Sequence, residues 1–184
     1  MGILFVTFFK CSGEVWKLHM RNQKIKNADT VYKSKKYRGI LNALHESIEK
    51  ESDYEREKNY IEASNAGLVT WSCIKEIMKH LNVQSVYELE YNTSYDLLYW
   101  VDAFAMNLHN ASRSNAAYLQ KKFLFCQEYV EMHKDFLEKD LRNLGNIRRF
   151  FAEHYAELAD FETFDNLYHD WLNKEPDWGW GWIG

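Results

Sequence analysis

Residues 145–184 read GNIRRFFAEHYAELADFETFDNLYHDWLNKEPDWGWGWIG, and this stretch decides the fold. Ile147, Phe151, Tyr155 and Leu158 recur at three- and four-residue intervals, the spacing that puts side chains on one face of an α-helix. Ala159-Asp160 interrupts the pattern. Phe161, Phe164, Tyr168, Trp171 and Leu172 then restart it, and Pro176 ends it, because proline cannot donate the next helical hydrogen bond and disfavours helix at the residue before it. Two amphipathic helices joined by a short turn are therefore expected here.

The same spacing extends upstream. Ile40, Leu41, Leu44 and Ile48 mark a helix over 37–50. Leu68, Trp71, Ile74, Met78 and Leu81 mark another, with Asn82 suited to its end. Ser94 is the expected N-cap for a helix carrying Leu97, Trp100, Val101, Phe104 and Leu108, with Asp96 in its first turn, and a break is expected over Asn110–Ser114. A longer helix follows, from about Asn115 to Lys139, with Leu119, Phe123, Cys126, Val130 and Phe136 or Leu137 on a common side and a bend or break near His133. Leu144-Gly145-Asn146 closes that unit. One proline and eight glycines in 184 residues leave too little turn punctuation for a sheet.

The expected fold is all-α, with antiparallel helix pairs stacked as a helical-repeat array over 37–184; a single bundle is the competing arrangement. Each pair is too small to bury its own face. Aromatic residues make up 16% of the chain, which favours broad packing between layers over a narrow leucine seam. Residues 1–36 are expected to form a separate hydrophobic segment and basic arm. The run Ile3–Phe9, ILFVTFF, is too short for a membrane span and reads as a short strand or an arm packed on the body.

Net charge is −4, which imposes no particular partner. Between Lys17 and Arg38, however, eight basic residues face only Asp29, so this arm is a candidate for binding nucleic acid or another anionic partner. Cys11, Cys73 and Cys126 are far apart and odd in number. They build neither a disulfide framework nor a metal knuckle, and a cytoplasmic location fits them. The seven histidines show no H-E-x-x-H and no paired E-x-x-H. Glu76 and His80, four apart, read as a surface pair, and His169-Asp170 as an isolated dipeptide. No metal or cofactor is expected.

From Gly145 to Pro176 the segment resembles a tetratricopeptide repeat. Phe151 stands at the small-pocket leucine, Ala152 at the close-packing glycine, Tyr155 at the first-helix tyrosine, Asp160 and Phe161 at the inter-helix turn, and Tyr168 at the second-helix aromatic. Arg148, Phe164 and Trp171 depart from the pattern. Counting on from Pro176, Trp180, Ile183 and Gly184 fall on the W-x-x-L-G signature, so the tail is expected to open another repeat's leading helix; an extended W-G-W-G-W strand is the competing form. Residues 118–184 also resemble helical regions of bacterial proteins in which such a repeat precedes a zinc-binding SEC-C motif, but the cysteine-rich motif is absent here and no metal function carries over.

The resemblance implies a non-enzymatic module, a scaffold or adaptor that binds a protein or peptide. Its contacts would come from the outward positions of the leading helix, Asn146, Arg149, Glu153 and Glu157. Trp178, Trp180 and Trp182 would be the join to a partner or to a second copy of the chain. Arg149 and Glu153 also fit a plain surface ion pair. The alternative is a helical ribonuclease or toxin. Arg149 and His154 form an R-x4-H element resembling that of HEPN-type ribonucleases, in which a guanidinium steadies a phosphate and an imidazole moves a proton.

Overall fold

The computed structural model describes residues 35–90, 95–137 and 143–182, apart from the side chains of 35–37, Trp180 and Trp182. The run Ile3–Phe9, nearly all of the basic arm and Ser94 lie outside the described residues. Among the described residues seven α-helices follow in order: α1 Lys35–Arg56, α2 Tyr60–Leu81, α3 Val86–Glu90, α4 Leu97–Ser114, α5 Ala117–Met132, α6 Leu144–Glu157 and α7 Phe161–Lys174. A 3-10 turn closes them at Gly179–Trp182. No strand occurs among the described residues, so the fold is all-α.

Local chemistry sets most of the boundaries. Asn59, Asp96 and Asp160 each accept a hydrogen bond from the backbone N–H three residues on, at 3.4, 2.9 and 3.1 Å, and so satisfy an orphan donor at the starts of α2, α4 and α7. The cap of α4 is thus Asp96. Asn82 adopts the left-handed conformation, φ 53°, that ends α2. Between α6 and α7, Ala159 takes φ 60° and the Asp160 N–H reaches the Tyr155 carbonyl at 2.9 Å, a Schellman-type closure.

Two expected breaks move. α4 continues through Ser114 because Ala111 is fully buried and the Ser112 and Ser114 hydroxyls donate back to the carbonyls of His109 and Ala111 without opening the helix. Leu144-Gly145 begins α6 instead of ending the preceding unit. Buried Asn143 anchors that start: its Oδ1 accepts from the Tyr129 hydroxyl at 2.9 Å and its Nδ2 donates to the Leu98 carbonyl at 3.1 Å. α5 stops at Met132, beside His133, where a break was expected. The buried side of α5 is rotated from the expected one, with Tyr118, Lys122, Phe125, Cys126 and Tyr129 inside while Phe123 and Val130 are half-buried. The apolar arc of α5 runs about half-way round the helix, from Met132 to Phe123, so periodicity alone did not fix which part of it faces inward. Leu158, at the turn, is exposed.

Each main helix packs on the next: α1 on α2, α2 on α4, α4 on α5, α5 on α6 and α6 on α7. α4 also touches α6 directly. An aromatic column fills the centre, with Trp71 and Trp100 stacked at 6.4 Å, Trp100 and Phe104 at 5.1 Å, and Phe125 meeting Phe104 edge-on at 4.7 Å. Gly67 admits this column: a Cβ there would lie 2.2 and 2.4 Å from two Phe104 ring carbons. Gly67→Ala is therefore expected to lower stability by about 1–3 kcal/mol, although alanine is the better helix former, because overpacking outweighs propensity. A denaturant midpoint unchanged or raised in that variant would contradict the packing.

Among the described residues the tail forms a 3-10 turn, Gly179–Trp182, where an α-helix was expected, and Ile183 and Gly184 lie outside them. Trp178 is 2% exposed, stacked on Tyr168 at 5.7 Å and edge-on to Trp171 at 5.8 Å, with the Arg148 guanidinium 5.9 Å from its ring. The Gly181 N–H then bonds the Trp178 carbonyl at 3.1 Å, and a Cβ on Gly181 would lie 2.6 Å from both Leu172 and the Trp178 ring. Burial of the Trp178 indole against Tyr168 and Trp171 holds the chain on α7 directly after Pro176. The Trp178 indole is thus enclosed within the chain and is not part of an exposed adhesive patch.

Candidate functional site

Asp102, Met106, His109 and Arg113 of α4 share one helical face, as do Asn146, Arg149, Glu153 and Glu157 of α6. Direct packing of α4 on α6 brings the two stripes together. The Asn146 amide donates to Asp102 Oδ1 at 3.4 Å, and the His109 ring lies 5.5 Å from that of Phe150. Arg149 pairs with Glu153 at 3.4 Å along α6, and its guanidinium sits 5.0 Å from the Phe150 ring. Lys122, fully buried on α5, reaches up to Glu157, with Nζ 3.2 and 3.4 Å from the two carboxylate oxygens.

The four outward residues expected from the sequence thus line one half of a mixed-charge face. Two of them also serve the fold: Glu157 neutralises a buried ammonium, and Asn146 ties α6 to α4. The other half was missed. Asp102 and His109 lie one turn and three turns into α4, on the side away from its apolar stripe, and that spacing was the available signal. Lys122 carried no signal, since a lysine among apolar neighbours usually marks a solvated edge.

His109 is half-buried, and its Nδ1 is enclosed without a hydrogen-bond partner among the described residues. Burial, with Lys122 nearby, pushes its pKa below the ordinary histidine value, against the opposing pull of Glu153 and Glu157. His154 is 6% exposed and stacks on Phe123 with ring centroids 4.1 Å apart; burial lowers its pKa as well. Cys126, beneath the face, is fully buried, and its thiol is pushed up to about 12 by desolvation, so it is no nucleophile at neutral pH. The face offers the His109 imidazole and compensated charges, which suit hydrogen bonding and ion pairing with a ligand of both signs.

Arg149 and His154 are five residues apart and so leave α6 roughly 140° from one another around its axis. Arg149 turns to Glu153, and His154 turns to Phe123 of α5. The R-x4-H spacing does not give these two side chains a common face. Elsewhere, Glu76 and His80 form a partly exposed pair at 3.5 Å on α2, and His169 and Asp170 are exposed on α7. Among the described residues no group of three or more His, Cys, Asp or Glu side chains is placed to hold a metal ion, and no helix is long and apolar enough to cross a membrane.

Compared with protein-family models, with curated proteins and with solved structures, the chain matches none.

Proposed function

We propose that the chain is a non-enzymatic helical-repeat module, a scaffold or adaptor that binds a protein or peptide segment across the α4–α6 face in the manner of a tetratricopeptide-like array. One observation carries the reading: the polar stripes of two alternate helices, α4 and α6, lie side by side and are bridged by Asn146 and Asp102. In a stacked array the leading helices line a common face, and side chains held on rigid helices can read an extended segment. The sequential packing of α1, α2, α4, α5, α6 and α7 supports the same arrangement. Arg149 and Glu153 are the reading residues, because both are partly exposed on that face.

A peptide array carrying sequences with both charge signs tests this. The wild-type chain is expected to bind a subset of them. Arg149→Glu is expected to weaken those spots by about tenfold or more, in line with the loss of a charge-assisted contact. The Arg149→Glu/Glu153→Arg exchange keeps the ion pair and is expected to change stability by less than about 1 kcal/mol while redirecting the peptide preference. An array without binders, or one whose pattern is the same for all three proteins, overturns the proposal.

A further inference from the structure

Glu51 stands where α1 meets α2 and α4. Its side chain is 3% exposed. Oε2 accepts from the Trp100 indole N–H at 2.7 Å and Oε1 from the Asn107 amide at 3.3 Å, while a Cβ on Gly67 would lie 2.8 Å from Oε1. Both donors are neutral. On its own helix the charge acting on it is Glu55, also acidic, and among the described residues what α2 and α4 bring against it, Gly67, Trp100 and Asn107, does not titrate. A carboxylate enclosed with no cation is strongly disfavoured, whereas a carboxylic acid in the same place is not.

We propose that Glu51 is a proton-operated latch on α1: with the carboxyl protonated, the helix is held against α2 and α4, and loss of the proton to solvent loosens that docking while α5, α6 and α7 stay packed. The geometry restricts the effect to one end of the chain. α1 packs principally on α2, and both hydrogen bonds of the carboxyl run to α4. Desolvation outweighs the two hydrogen bonds and moves the pKa up to about 7, so the latch works near neutral pH. The sign follows: a carboxyl that titrates near 4.5 when α1 is open and near 7 when it is docked favours the open form as pH rises.

Two measurements on the full chain test the latch. The Trp100 indole N–H resonance is expected to titrate with a midpoint at about 7. Hydrogen exchange of α1 amides, corrected for intrinsic chemistry, is expected to report an opening equilibrium about tenfold larger at pH 8.5 than at pH 6, with a several-fold smaller change in α6 and α7, because His133 offsets Glu51 where exchange needs global unfolding. Glu51→Gln keeps a side chain of the same shape and should abolish both responses. An indole resonance that does not titrate, parallel loss of protection in α1 and α6, or an α1 response that survives in Glu51→Gln each overturns the proposal. Should the variant not fold, the wild-type comparison of α1 with α6 still decides.

Discussion

Glu175→Ala is expected to destabilise the chain by about 3–5 kcal/mol, because it strands a buried cation. Arg148, 3% exposed, donates one guanidinium nitrogen to the Glu175 carboxylate and the other to the Phe136 carbonyl at 3.2 Å. Its planar group lies 5.6 and 5.9 Å from the rings of Trp171 and Trp178. Without Glu175 the charge remains enclosed among indoles and loses its counterion, and the packing that folds the tail onto α6 and α7 goes with it. Replacing both partners, Arg148→Met with Glu175→Leu, should recover most of the loss, since an apolar pair carries no desolvation cost. Urea unfolding of the single and double variants measures the difference. A single variant within about 1 kcal/mol of wild type would show that the pair is solvated in solution.

Acid should remove about 3 kcal/mol of stability through His133. This ring is fully buried after α5. Its Nδ1 is 2.9 Å from the Tyr129 carbonyl, which can only accept, so Nδ1 carries the proton and Nε2 accepts the Val86 N–H at 3.3 Å. A second proton would set two N–H groups against each other, and burial holds the pKa at about 4 against 6.5 when unfolded. The unfolded chain therefore takes up the proton first as pH falls. The stabilisation is complete above about 6.5 and is lost by about 4. Glu51 acts in the opposite sense, its stabilisation lost as pH rises from 4.5 through about 7. Between about 4.5 and 6.5 the two nearly cancel, and only the smaller contributions of His109 and His154, of the same sign as His133, tilt the profile. Glu51→Gln should expose the acid limb as a rise of stability with pH, and His133→Gln should reduce its slope by one proton. Denaturant midpoints from pH 4 to 9 check both, and parallel profiles in wild type and Glu51→Gln would refute the opposed titrations.

The candidate face was half legible. Asn146, Arg149, Glu153 and Glu157 follow from helix periodicity once the start of α6 is set, and the Arg149–Glu153 pair follows from i, i+4 spacing alone. Asp102 and His109 needed the knowledge that α4 and α6 are neighbours, which the connecting residues do not state. Lys122 was missed because residue type suggested solvent, whereas the α5–α6 packing gives it a carboxylate partner 35 positions away. The R-x4-H element shows the converse. A spacing suggestive in one dimension divides its two side chains between different neighbours once wrapped on a helix.

What the sequence by itself determined was local: the all-helical class, the pairing of α6 with α7 across Ala159-Asp160, the stop before Pro176 and the end of α2 at Asn82. These depend on spacing of three to four residues and on capping within a turn, interactions a short segment makes with itself. The tertiary structure alone decided which way the tail runs, which glycine meets Phe104, and which ionisable groups are enclosed. Glu51 meets Trp100 across 49 positions, Val86 meets His133 across 47 and Arg148 meets Glu175 across 27. Burial, counterion and proton affinity are properties of those distant encounters, and no local window of the chain contains both partners.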